Sequence, residues 1–128
     1  MPSLRVHFEW VKGETETYYF SVKAGGVYVN MASTYAAGKL IAKETRATTA
    51  TPVLTLLSSA GDIILGGAVA NNLGIRPTRA KTKDITQDRL EFDLFLYPTG
   101  NYANPPRFFG GEIIWVDSLF SDSEQLSV

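Results

Sequence analysis

The sequence predicts an all-β domain, an antiparallel β-sandwich of jelly-roll or immunoglobulin-like type with at most one short helix. Three observations carry that expectation. RLEFDLFLYPTG, residues 89–100, sets Leu90, Phe92, Leu94 and Leu96 on one face at period two, with Glu91, Asp93, Phe95 and Tyr97 opposite, as a half-buried strand requires. PPRFFGGEIIWVDSLF, residues 105–120, reads as its long antiparallel partner. About eight to ten apolar runs are separated by clusters of Gly, Pro, Asn or Ser, the cadence of a sandwich, with a closed barrel as the competing architecture.

Taken in order, Leu4, Val6, Phe8 and Trp10 alternate with Ser3, Arg5, His7 and Glu9 in a first strand. Lys12-Gly13-Glu14 is a turn, from which a hairpin into the β-branched and aromatic run Thr15 to Lys23 is expected. Ala24-Gly25-Gly26 closes that run ahead of a short strand from Val27 to Met31. Residues 31–38 are small and weakly patterned, compatible with a loop or one helical turn. Lys39 to Arg46 alternates again, Leu40 and Ala42 facing one way and Ile41, Lys43 and Thr45 the other. TRATTAT is a natural surface loop, and Pro52 suits the first residue of the strand running to Leu57. Ser58 to Asp62 reverses the chain into Ile63-Ile64-Leu65, which Gly66-Gly67 ends. Asn71 to Arg76 is extended, with Leu73 and Ile75 on one side. Thr78 to Asp88 is the one candidate helix, of one or two turns with Thr78 as its N-cap. The expected organisation is a single sandwich domain over residues 1–120 and a flexible polar tail over 121–128.

Composition bounds the function. Thirteen acidic against twelve basic residues leave a net charge of −1, so no global field draws the chain to nucleic acid or to an anionic membrane. The absence of cysteine excludes disulfide stapling, thiolate chemistry and zinc sites built on Cys pairs. MPSLRVHFEW has no basic segment leading into a long apolar run, and no stretch approaches the length of a membrane span.

No catalytic, cofactor-binding or metal-ligating set assembles from the residues. His7, flanked by Arg5 and Glu9, lacks an identifiable nucleophile and orienting group, and reads as a surface histidine. Glu91 and Asp93 share a strand face, but a glycosidase pair faces across a cleft from different elements. Asp117 and Asp122 with Ser121 and Ser123 lack the oxygen spacing and central Gly of a calcium loop. LGGAV and FGGEI lack the lysine and strand-to-helix context of a phosphate loop and read as turns or bulges. Arg76, Arg79, Lys81, Lys83 and Arg89, set against Asp84 and Asp88, form the densest basic stretch. They lack the interleaved aromatics of a single-strand reader, so a solvated loop or a subunit contact is expected there rather than nucleic acid.

The aromatic residues carry the remaining functional signal. Phe95 and Tyr97 sit on the polar face of an otherwise regular amphipathic strand, which implies that a second sheet or a neighbouring subunit covers that face. Tyr102, Pro105, Pro106 and Arg107 follow at the expected hairpin tip, where a rigid apolar knob suits a protein contact. These six residues are the expected interface.

One resemblance adds to this reading. The succession GKLIAKETRATTATPVLTLLSSAGDIILGG, NNLGIRPTRAKTKDITQDRLEFDLFLYPTGN and RFFGGEIIWVDSLFSD resembles a group of small bacteriophage virion structural proteins. In that group an Arg-bearing strand is followed by a variable loop and by two apolar strands joined at a Gly turn. A Thr-rich segment, a Tyr/Phe-Asp-Leu strand and a final strand starting at Gly complete the pattern. Arg46, Gly61, Thr86, Phe92-Asp93-Leu94, Gly100, Gly111 and Val116 match, over about residues 38–122. Asp117-Ser118 departs from the group's Val-Thr ending, and GGAVAN inserts small residues ahead of Leu73. The resemblance implies a non-enzymatic subunit of the tail, baseplate or fibre region, made in the host cytoplasm and homo-oligomeric among other virion proteins. It carries over no enzymatic residues and no cofactor. A capsid cement or decoration protein and a carbohydrate-binding module with an exposed Tyr/Trp platform are the alternatives.

Overall fold

A computed structural model describes residues 4–100 and 107–116, with side chains from Val6 to Gly100 and from Phe109 to Trp115. The strands are β1 (Leu4–Val11), β2 (Tyr18–Ser21), β3 (Lys23–Ala24), β4 (Val27–Tyr28), β5 (Tyr35–Lys43) and β6 (Leu54–Leu57). They continue as β7 (Ile63–Leu65), β8 (Asn72–Ile75), β9 (Arg89–Pro98) and β10 (Arg107–Val116), with single-turn helices α1 (Met31–Thr34) and α2 (Arg79–Thr82).

Two sheets face each other. The larger has the order β1-β10-β9-β5-β6, the smaller β2-β8-β7, and β3-β4 form a separate hairpin. All pairings in the large sheet are antiparallel except that of β1 with β10, which is parallel. This strand order is that of the immunoglobulin variable-type sandwich: a three-stranded sheet from the second, eighth and seventh strands opposes one extended beyond the fifth strand by the sixth. Of the two sandwich types the sequence allowed, the immunoglobulin-like one is therefore realised.

The core lies where the alternation placed it. Leu90, Phe92, Leu94 and Leu96 of β9 are buried, and Leu40, Ala42, Leu54 and Leu56 continue the same inner face across β5 and β6. Leu73 and Ile75 of β8 and Ile63 of β7 close it from the small sheet. An aromatic series ties the layers together: Phe8 stacks on Phe92 (5.2 Å) and Trp10 (4.9 Å) within the large sheet, then reaches Phe20 (6.0 Å) in the other. Trp10 stacks on Tyr18 at 5.8 Å and meets Trp115 edge-on at 5.6 Å. Each such side chain removed from water stabilises the fold by about 2 kcal/mol.

Several local expectations are corrected. No hairpin joins β1 to the following strand, because β1 pairs with β10 while β2 crosses to the small sheet beside β8. The amphipathic face of β1 needs the core between the sheets, and the last strand offers it a backbone edge there. The run Thr15 to Lys23 yields only β2 and the first half of the β3-β4 hairpin. Gly110 and Gly111 form neither turn nor bulge but lie in regular register within β10. A methyl on Gly111 would overlap the Val6 carbonyl oxygen, so glycine there lets β1 and β10 approach. In LGGAV the turn reading holds, with Gly66 at φ 95° and Gly67 at φ 78°.

Among the described residues there are two α-helical turns, besides a 3-10 turn over Ser58–Ala60, where at most one short helix was expected. The additional one, α1, is capped by Asn30, whose side chain accepts from Ser33 N–H at 3.1 Å. Thr78 occupies the N-cap position of α2, but its side chain makes no capping bond; its carbonyl instead accepts from the Thr82 hydroxyl at 3.0 Å. The strand expected to begin at Pro52 begins at Leu54, and β5 starts at Tyr35, ahead of the expected Lys39.

Candidate docking face of the large sheet

The outer face of the large sheet gathers the residues that the sequence left facing away from the core. Register aligns His7, Glu112, Glu91 and Lys43 in one row across β1, β10, β9 and β5, and Asp93, Ile41 and Thr55 in the next row across β9, β5 and β6. Phe95, Lys39 and Leu57 align in a third row, and Tyr97 lies opposite Ala37.

The charged part of this face is a continuous chain of contacts. Glu9 Oε1 accepts from His7 Nε2 (3.4 Å), and His7 Nδ1 donates to Glu112 Oε1 (3.0 Å). Arg89 Nε donates to Glu112 Oε2 (2.7 Å), and its Nη2 to Glu91 Oε1 (2.5 Å). Arg46 Nη1 lies 3.9 Å from Glu91 Oε2, and Nη2 pairs with Asp93 Oδ1 at 2.5 Å. The signs alternate along the chain. Glu112 is held below the usual carboxylate range, chiefly by its hydrogen bond from Arg89 and then by that from His7. His7 is raised, chiefly by Glu112 and then by Glu9, which favours the imidazolium with both ring nitrogens donating. Arg89 is raised by Glu112 first and Glu91 second.

Chemically, this network holds charges in place. Glu91 and Asp93, the strand-face carboxylates, each meet an arginine, and His7 is half-exposed between two carboxylates. Among the described residues no group of three or more His, Asp or Glu is arranged to hold a metal ion. Most cations of the stretch from Arg76 to Arg89 are paired within the chain. Arg79 donates to Gly13 O at 2.8 Å, Lys81 binds Asp62 and donates to Thr55 O at 3.2 Å, Lys83 meets Asp84 at 3.4 Å, and Arg89 joins the face network.

Beside the network lies a shallow open cleft of about 160 Å³, with Ile41 and Phe95 as its apolar side chains, Glu91 and Asp93 beside them, and Lys43, Thr45, Arg46 and Thr48 on the side of the β5–β6 loop. Phe95, Tyr97, Ile41 and Leu57 are all half-buried, so the outer face carries an apolar strip next to its charges. Of the six residues expected at the interface, Phe95 and Tyr97 thus lie together on this face. Tyr102, Pro105 and Pro106 fall outside the described residues; Arg107 begins β10 opposite Leu96, and its side chain falls outside them too. The candidate calcium residues Asp117, Ser121, Asp122 and Ser123 also fall outside. Sequence reasoning missed Arg46 as the partner of Asp93: the two are 47 positions apart and meet only because the β5–β6 loop folds back over β9.

No helix among the described residues is long and apolar enough to cross a membrane, which says nothing of a β-barrel. No protein-family model matches the chain, and no curated protein matches it. One solved structure to which it is similar is the extracellular domain of the voltage-gated sodium channel beta4 subunit, reported as parallel homodimers that explain that subunit's role in cell-cell adhesion. The match covers 93% of this chain and 97% of that one at 10% identity, with a TM-score of 0.43. So loose a superposition adds nothing to the fold assignment, which rests on strand order and pairing.

Proposed function

We propose that the chain is a non-enzymatic structural subunit of a bacteriophage particle, an adaptor or anchor in the tail, baseplate or fibre region, that docks through the outer face of its large sheet. The observation that carries this reading is the apolar strip of Ile41, Leu57, Phe95 and Tyr97 on the face turned away from the core. The surface that these half-buried side chains still expose, that of Ile41 and Leu57 above all, gains from removal from water against a further protein, and the adjoining charges, already paired internally, supply a polar rim. The succession of motifs shared with small virion proteins supplies the biological setting. Capsid decoration is the alternative placement within the same reading.

The test is incorporation. Particles assembled with the double variant Phe95→Glu, Tyr97→Glu are expected to lack the subunit, while the isolated variant still folds, its melting temperature lowered by no more than about 10 °C, as for loss of about 2 kcal/mol from two half-buried aromatics. Particles that retain the variant at wild-type copy number would overturn the docking face. A carbohydrate-binding module is favoured instead if the chain binds a glycan array and Tyr19→Ala abolishes that binding. Tyr19 is 55% exposed and lies over Gly74, where a β-carbon would sit 2.8 Å from the ring.

A further inference from the structure

The two edges of the large sheet are built differently. Along β6, side chains occupy the outer backbone groups: Lys81 donates to Thr55 O at 3.2 Å, and Asp62 Oδ2 accepts from Leu57 N–H at 3.2 Å. The other edge is β1, which among the described residues has β10 as its one strand neighbour. Its register with β10 runs without a break from Leu4 to Val11. From Val6 to Trp10 it reads Val-His-Phe-Glu-Trp, with no Pro, no Lys and no bulge, the devices that spoil an edge for pairing. No loop or side chain among the described residues hydrogen-bonds to the backbone of these five residues from the far side. Val6 and Phe8 are half-buried and Trp10 is buried on the core face, whereas His7 and Glu9 stand out on the other face with side chains 50% and 68% exposed. A regular edge left open in this way is a template for one further strand.

We infer that this edge takes a second copy of the chain, β1 pairing antiparallel with β1 of the copy about a two-fold axis at Phe8. The side chains of the strand select both the partner and the register. A pairing that keeps core-facing residues on one side of the joined sheet must place the axis at a residue, since an axis between residues sets inner positions against outer ones. At His7 the axis would set imidazole against imidazole, and at Glu9 carboxylate against carboxylate. At Phe8 it sets His7 opposite Glu9 of the copy, and Glu9 opposite the copy's His7. Each polar pair is then an N–H donor facing a carboxylate, and on the core side Phe8 meets its own copy while Val6 meets Trp10. A foreign strand can bond the same backbone, but the side-chain pattern complements itself. The two large sheets then continue as one sheet of ten strands. The contact is separate from the strip of Ile41, Leu57, Phe95 and Tyr97, which belongs to β5, β6 and β9, and it stands without the docking proposal.

The experiment is light scattering of the full chain over a concentration series, with amide hydrogen exchange measured at its two ends. Expected is a monomer–dimer equilibrium in which amides between Val6 and Trp10 gain protection as the dimer forms. Glu9→Lys sets a cation opposite His7 of the copy and should weaken the dimer by about tenfold or more; His7→Glu, which sets a carboxylate opposite Glu9, should do the same. Mixed in equal amounts, the two variants should dimerise again, because the introduced cation then faces the introduced carboxylate and His7 faces Glu9. Should either variant fail to fold, the exchange measurement on the wild type decides the matter. A monomer at every concentration, a dimer that leaves the β1 amides unprotected, a mixture that associates no more tightly than either folded variant alone, or a dimer that Phe95→Glu abolishes would each overturn the proposal.

Discussion

Gly111 faces the backbone of β1 with no space for a side chain. Gly111→Ala is expected to push β1 off β10, lowering stability by about 3 kcal/mol and exposing Trp10, read as a red shift in tryptophan emission. His7 makes a pH-dependent contribution from the neighbouring row. Its folded-state pKa is raised above 6.5, so the stability it confers is complete below its unfolded-state value and is lost as pH rises through the raised value. Glu112 acts in the opposite direction. Its pKa is lowered from 4.5, so its contribution is present above that value and is lost as pH falls through the lowered one. Stability attached to the His7–Glu112–Arg89 contacts therefore peaks between about pH 4.5 and 6.5. Between about pH 6 and 9 the wild type should lose more melting temperature than His7→Gln, and the ring should titrate above 6.5 by NMR; equal losses would refute the role. At this scale the sequence showed that His7 lies on the polar side of β1. It hid Glu112, which is 105 positions away, because strand alternation gives the face of a residue and not its cross-strand neighbour.

At the scale of elements, the exposed edge of β6 is closed by side chains. Lys81 donates to Thr55 O (3.2 Å) and binds Asp62; Asp62 Oδ2 accepts from Leu57 N–H (3.2 Å), and Asp62 N–H donates to Leu57 O (3.0 Å). Groups that would template a foreign strand are thus occupied. Asp62→Ala should cost about 1–2 kcal/mol, as for hydrogen bonds lost from a buried carboxylate whose lysine partner reaches solvent, and should give soluble aggregates detectable by light scattering below the melting transition. An equally stable and monodisperse variant would contradict the edge-closing role. Strands with clean alternation, such as β9 and β5, were legible from sequence because one face had to be buried. The partners of β1 and β2 were not: a turn signal such as Lys12-Gly13-Glu14 marks a reversal but does not say whether the chain returns in the same sheet or crosses to the other. The one-turn helices lay below the reach of periodicity: α2 was signalled by Thr78 and the absence of Pro and Gly after it, whereas α1 fell in a stretch compatible with loop or helical turn, its Asn30 cap not singled out.

For the whole molecule, the sandwich was legible from the alternation of β9 and from the turn-bounded apolar runs, whereas the division of the strands between two sheets emerged only with the strand order. Of the candidate site, Phe95 and Tyr97 were visible as apolar residues on a polar face; Ile41 and Leu57 were not singled out, since their place beside Phe95 depends on the pairing of three strands. The parallel pairing of β1 with β10 has a consequence for how the chain comes to be folded. Within the chain, β1 finds its backbone partner only in β10, so Phe8 and Trp10 stay without a completed sheet until β10 has left the ribosome. Loop closure over that span is slow, and a nascent chain halted before residue 107 is left with an unpaired, aromatic-rich strand that a chaperone or a neighbouring nascent chain can capture.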